Sequence, residues 1–260
     1  MNTYTAKIFW QLLKTDLIQL RNAFKDNFIN LFIWGVCTIF INVYIMQKMG
    51  LSNGYSDLIV GGIMVSGMSF QMFSHLFSNV SDFTGDQYIH YQFILPISNI
   101  LIFIKSICAY TINGFIFGIL GLSICKMMLF NTMNLTQINI FYLFISLLLS
   151  SLFFGTFTLF LSSIIKNPKL IGTAFSRIIF PLWFLGGFLF PWAVLYKTAP
   201  FVALINLLNP YVHMTESLRV ATIGQKEFLP FWPSCIALIL MAISLSIISI
   251  KKLKKRLDFI

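Results

Sequence analysis

The sequence predicts an all-α integral membrane protein with six transmembrane helices, and three observations carry that prediction. Of 260 residues, 58% are hydrophobic and only 10% are charged, whereas a soluble domain carries about 25% charged residues. The 29 Phe and a mean hydropathy of +0.84 exclude a disordered chain, which is poor in aromatics. The apolar residues also gather into runs that match the roughly 20 residues a helix needs to cross the hydrocarbon layer. Six such crossings leave room for loops but for no large soluble domain.

The elements follow in order. In residues 1–27, Phe9, Leu12, Leu13, Leu17, Leu20 and Phe24 recur at helical spacing, with Lys7, Gln11, Lys14, Arg21 and Lys25 on the other side. That pattern predicts an N-terminal amphipathic helix lying in the headgroup plane. It has neither the unbroken apolar core nor the small-residue cleavage site of a signal peptide. Residues 28–260 are expected to form one six-span domain, with apolar runs at Phe28–Met46, Leu58–Val80, Ile97–Ile124, Ile140–Ile165, Leu170–Phe190 and Phe231–Ile250. A further run, Phe201–Leu208, is too short to span and is flanked by Pro200 and Asn209-Pro210. It predicts a re-entrant hairpin between spans five and six, tolerated where protein or a wet cavity satisfies the backbone.

Orientation comes from the Lys/Arg bias toward cytosolic flanks. With both termini in the cytosol, only Lys48, Lys126, Lys197, Arg219 and Lys226 of the eighteen basic residues fall outside. Ser81–Ser98 and Lys166–Lys169 are then cytosolic loops, and Lys48–Ser56 and Pro191–Pro230 are external. The net charge of +10 thus flanks membrane spans and gives no reason to expect nucleic acid. Cys37, Cys108, Cys125 and Cys235 lie in or beside apolar runs without C-x-x-C spacing; they read as compact hydrophobes and offer no disulfide or metal framework.

Catalytic motifs are missing. The chain has no G-x-x-x-x-G-K-[ST] to cradle ATP phosphates, no H-E-x-x-H and no G-x-S-x-G, and His75, His90 and His213 stand singly. A transport subunit with no bound cofactor, and not an enzyme, is the expectation. Asp57 and Lys105 sit near span ends, within reach of headgroups, and no carboxylate stands mid-span to carry a coupling proton. Arg177, about two turns into the fifth run, either faces a conduit or anchors at the inner leaflet. Gly114, Gly118 and Gly121 clear a face of the third run for packing. Gly61, Gly62, Ser66, Gly67, Ser69 and Ser74 in the second suit a translocation path and close packing equally. Trp183, Phe184, Phe188, Phe190 and Trp192 suit contacts with sugars or acyl chains, or an interfacial belt.

Two segments look unlike ordinary loops. Ser81–Leu95 carries Phe83, Ile89 and Phe93 among polar residues, Asp82 and Asp86 included, and is closed by Pro96-Ile97-Ser98. It reads as a short amphipathic helix offered to a partner groove, or as an interfacial loop. In the second, Asn209 can cap a helix with Pro210 in its first turn, and Glu216 and Arg219 then stand three apart on one face. They form an ion pair steadying an external helix, or act in gating or substrate contact.

At Phe93-Ile94-Leu95-Pro96-Ile97-Ser98, at Leu185-Gly186-Gly187-Phe188-Leu189-Phe190-Pro191, and at Asn209-Pro210 leading to Glu216 and Arg219, the sequence resembles the ABC-2 type permease family, the membrane subunits of ATP-driven exporters. The resemblance covers essentially the whole chain in span number, amphipathic start and hairpin. It implies a homodimer around a central path in the inner membrane, with cytosolic ABC ATPase subunits that bind ATP and Mg. It also implies ATPase coupling through Phe83, Asp86, Ile89, Phe93 and Pro96, an external hairpin carrying Asn209, Pro210, Glu216 and Arg219, and a conduit past Arg177, Phe188, Phe190 and Trp192. The substrate it implies is an amphiphile: a lipid, a glycan-lipid or polysaccharide, or a hydrophobic drug. The sequence departs from the family in having no Lys or Arg between Ser81 and Ser98. Alternative readings are an ion-coupled secondary carrier, which calls for mid-span carboxylates and matching broken helices, and a membrane assembly factor that transports nothing.

Overall fold

The computed structural model describes residues 3–50, 55–85, 87–130 and 137–257; Asp86 lies outside the described residues. Helix α1, Thr3–Ile39, is continued by a π turn over Phe40–Ile45 and a short helical turn at Met46–Lys48. Next come α2 (Tyr55–Thr84), α3 (Tyr88–Ile94), α4 (Asn99–Met128) and α5 (Ile140–Ile164). A 3₁₀ turn at Pro168–Leu170, a helical turn at Ile171–Ala174 and a π turn at Phe175–Ile179 lead into α6 (Phe180–Leu185). Helices α7 (Trp192–Thr198), α8 (Pro200–Asn206), α9 (Pro210–Ile223) and α10 (Phe231–Leu257) complete the chain. No strand occurs among the described residues.

Helix α1 runs through residue 27 without a break, so the amphipathic start and the first apolar run are one rod. At 1.5 Å per residue its 37 residues extend about 55 Å, well beyond the roughly 30 Å of hydrocarbon.

Among the described residues, five helices are long and apolar enough to cross a membrane: Thr3–Lys48, Ser56–Thr84, Asn99–Met128, Ile140–Ile164 and Phe231–Arg256. The fifth predicted run is not one of them. Pro181, in the first turn of α6, has no N–H to donate to the carbonyl of Arg177 four residues back, and the π turn absorbs the mismatch. The helix then stops at Leu185, ahead of a turn in which Gly187 takes φ 78°, a conformation that favours glycine. The interrupted segment lies antiparallel to α2: Phe175 meets Phe73, Trp183 meets Ser66, and Phe188 meets Gly62.

Helix α2 lies at the centre, packed on α4, α5 and α9. Its small residues serve close approach rather than an open path. A Cβ on Gly67 would stand 3.0 Å from the carbonyl of Phe117, and one on Gly121 of α4 would stand 3.1 Å from the Cα of Met64. Ile63, Met64, Met68 and Phe117 are wholly enclosed between these helices.

Helices α1 and α4 run parallel, since Asp16 pairs with Lys105 and Gly35 meets Ile124. From α10, Arg256 donates to the carbonyls of Ser162 and Ile165 and lies over the Phe83 ring. Asp16, Phe83, Lys105 and Arg256 therefore gather at one end of the bundle. Leu58, Phe190, Arg219 and Leu229 gather at the other. The first end is the one that the Lys/Arg bias expects on the cytosolic side, and "inner" and "outer" are used below only as labels in that sense.

Candidate functional site

At the outer end, α9 is enclosed by the rest of the bundle: every residue from Pro210 to Thr222 is buried. Its start is fixed as the sequence predicts. The Asn209 side chain accepts from the N–H of Tyr211 at 3.0 Å, and Pro210 occupies the first turn. The other face of the same amide donates to the carbonyl of Leu182 at 2.7 Å, and Asn206 donates to that of Leu185 at 2.6 Å. Two asparagines thereby satisfy carbonyls that the end of α6 leaves without helical partners.

About two turns further on, Glu216 and Arg219 form an ion pair at 3.1 Å with neither side chain exposed. A guanidinium carries five N–H donors, and here they reach across the bundle. Nε donates to Leu58 O at 2.9 Å, Nη1 to Phe190 O and Glu216 Oε1 at 3.1 Å each, and Nη2 to Gly187 O at 2.6 Å and Phe188 O at 3.4 Å. Glu216 accepts in return from the N–H of Trp192, the first residue of α7, at 3.1 Å, and from that of Leu229 ahead of α10 at 2.9 Å. This pair therefore joins α2, the 187–190 turn, α7 and α10. A buried ion pair repays its desolvation only when its remaining donors and acceptors are met, and here they are.

At the inner end, Asp82 closes α2 by capping α3: Oδ1 accepts from Tyr88 N at 2.8 Å and Oδ2 from Ile89 N at 3.1 Å. Lys105, 2% exposed, donates to Gln92 of α3 at 3.0 Å and pairs with Asp16 of α1 at 2.7 Å. It was expected to reach headgroups; it turns inward instead, because a carboxylate on the parallel helix α1 lies within range. Above this contact lies a chain of polar side chains. Gln71 Oε1 accepts from Asn27 and Asn113, and Asn113 also bonds His75, whose ring stacks on Tyr110 at 4.5 Å. Tyr110 donates to Asn79 at 2.6 Å, and Asn79 to Ser162 at 3.2 Å.

An ABC-2 family transporter protein description matches residues 2–251. The chain belongs to this family. No curated protein and no solved structure matches it. As an ABC-2 permease it is a multi-pass membrane protein of a transport system, of a family that is generally non-catalytic and associates with ABC ATPase partners.

The permease places its sequence candidates unevenly. Phe83 is buried against Phe103, Ile107, Leu159 and Leu253, with Ile89 and Phe93 packed on the same cluster. The apolar side chains of the predicted coupling segment thus hold it to the bundle, and Tyr91 and Ile94, 63% and 80% exposed, form the open face of α3. Pro96 follows α3 in the turn leading to α4. Phe188 is buried. It is enclosed between Trp183, at 4.7 Å, and Trp34, at 5.6 Å, because Gly62 opens the space beside it. Phe190 and Trp192 are half-buried, the Trp192 indole donating to Ala203 O at 2.9 Å, while Arg177 is exposed on the π turn. Sequence reasoning passed over Asp16, Gln71 and Asn113. Their signal was polar side chains set among residues otherwise fit for lipid or core.

Proposed function

We propose that this protein is the membrane subunit of an ABC exporter that moves an amphiphile, with α3 as the element on which a separate ATPase acts. The attachment of α3 carries this reading. Asp82 holds its first turn to α2, and Gln92 ties its second turn through Lys105 to both α4 and α1. A push on its exposed Tyr91 and Ile94 face is therefore delivered to three long helices together. The membrane would be the inner membrane with both termini cytosolic, and the interrupted segment 168–185 would be the sixth crossing. Two copies would enclose the conduit, its wall supplied by Arg177 and the exposed Phe180 and Phe184, with Phe190 and Trp192 toward the exit. ATP and Mg would be bound by the partner.

Co-purification with the ABC ATPase and ATP-dependent transport in proteoliposomes, screened across lipids, glycan-lipids and hydrophobic drugs, test the reading. Tyr91→Asp with Ile94→Asp should release the ATPase and abolish transport at unchanged membrane abundance. Retained ATPase and normal transport in that variant would overturn the docking role of α3. An ion-coupled carrier is less well supported, since the Glu216 carboxylate deep in the bundle is engaged on both oxygens.

A further inference from the structure

Between α1 and α4 runs a groove of about 350 Å³, within the roughly 300–1,000 Å³ of small-molecule sites. Leu17, Leu20 and Phe24 of α1 and Ile112 and Ile116 of α4 form its walls, with Asn113 at its floor and the exposed Arg21 at its edge. Both hydrogen bonds of Asn113 use its amide nitrogen, toward Gln71 and His75. Apart from Asn113, the groove is lined by apolar side chains with a single cation beside it. Its position suits a lipid: on α1, Leu20, Arg21 and Phe24 lie just ahead of the apolar run that starts at Phe28, so the groove stands where the basic part of that helix gives way to its hydrocarbon-length part.

Arg21 is not an isolated charge. Lys7, Lys14, Arg21 and Lys25 are separated by seven, seven and four residues, which at 3.6 residues per turn puts all four on one stripe of α1, and each is exposed. Asp16, on a different side of the helix, is engaged by Lys105. A continuous cationic stripe bordering an apolar slot is complementary to an anionic amphiphile.

We infer that this groove is a binding site for one anionic phospholipid of the inner leaflet, its phosphate held by Arg21 with Lys14 and Lys25 beside it and one acyl chain laid against Leu20, Phe24, Ile112 and Ile116. Such a lipid seals the seam between α1 and α4 above the Lys105–Asp16 contact.

Native mass spectrometry of the full-length protein, titrated with phosphatidylglycerol, phosphatidylcholine and glycerol 3-phosphate, tests the site. Phosphatidylglycerol should be retained at one per chain in preference to phosphatidylcholine, and glycerol 3-phosphate should not displace it. Arg21→Ala should weaken retention about fivefold, the worth of one basic residue at an anionic surface. Ile116→Trp, which fills the slot, should abolish the preference while leaving the size-exclusion profile unchanged; Ile112→Trp gives the same readout should the first variant fail to fold. Equal retention of the two phospholipids would overturn the proposal, as would competition by glycerol 3-phosphate. So would a silent Ile116→Trp with Lys7→Ala as costly as Arg21→Ala, since diffuse surface charge would then suffice. Dissociation of a dimer by Ile116→Trp would assign the groove to a second copy of the chain and overturn it equally.

Discussion

The two ends of the bundle are joined by polar contacts of different kinds. At the outer end, one ion pair reaches mainly backbone groups: the carbonyls of Leu58, Gly187, Phe188 and Phe190, and the N–H groups of Trp192 and Leu229. At the inner end the bonds run chiefly between side chains, from Asn27 through Gln71, Asn113 and His75, and from Tyr110 through Asn79 to Ser162. A backbone group cannot leave its partner unless its helix moves, whereas an amide or hydroxyl can rotate and find another. The difference teaches where motion is cheap: the outer end is a joint, and the inner end is a set of exchangeable links beside α3.

The sharpest way to break that comparison is at Arg219. Arg219→Ala leaves a buried carboxylate without its counter-charge and takes the guanidinium's donors from several carbonyls, and should cost about 3–5 kcal/mol, read as loss of folded protein in thermal unfolding of the detergent-purified chain. Glu216→Ala should fall in the same range, and the double variant should cost less than the two together. An inner-end substitution of equal cost would remove the distinction.

Next in size is Gly186→Ala. Its Cβ would meet the Cβ of Tyr211 and stand 2.7 Å from the carbonyl of Leu182, contacts that no rotamer change relieves, so overpacking of about 1–3 kcal/mol is expected by the same measurement.

Lys105→Met should cost less than Arg219→Ala, about 1–3 kcal/mol for the groups left unmet, yet lower ATP-driven transport more than membrane abundance. Lys105→Arg should restore part of both. Transport falling only in proportion to abundance would make Lys105 a plain structural contact.

The smallest effect belongs to Tyr110→Phe, which removes one hydroxyl bond from the exchangeable set. About 0.5–1.5 kcal/mol and near-normal transport are expected, read from the unfolding midpoint and proteoliposome uptake. A large loss would mean that the inner links act as a joint as well.

The long helices were legible because hydropathy reports on each run separately: α2, α4, α5 and α10 lie where their apolar runs placed them. The cap at Asn209-Pro210 was legible for the same reason, being local chemistry. What the sequence concealed depends on partners far along the chain. Glu216 and Arg219 stood out at their spacing, but nothing nearby says that Leu58 and Gly187 supply the acceptors, or that the whole helix is buried. Lys105 looked like a headgroup anchor because its partner lies at residue 16. Leu170–Phe190 read as one unbroken helix because window averages do not register Pro181 acting on the carbonyl of Arg177, or the turn at Gly187.

The enclosure of α9 also depends on partners made before and after it. A segment holding His213, Glu216 and Arg219 is one that lipid accepts poorly, and domains are built as the chain emerges, N-terminal parts first. When residues 210–223 leave the ribosome, Leu58 and the 187–190 turn already exist, but Leu229 and α10 do not. The partners of the polar segment are thus complete only once α10 stands beside it. Docking of α9 is therefore completed by an element made after it, and the N–H of Leu229 closes a set of contacts that begins at Leu58.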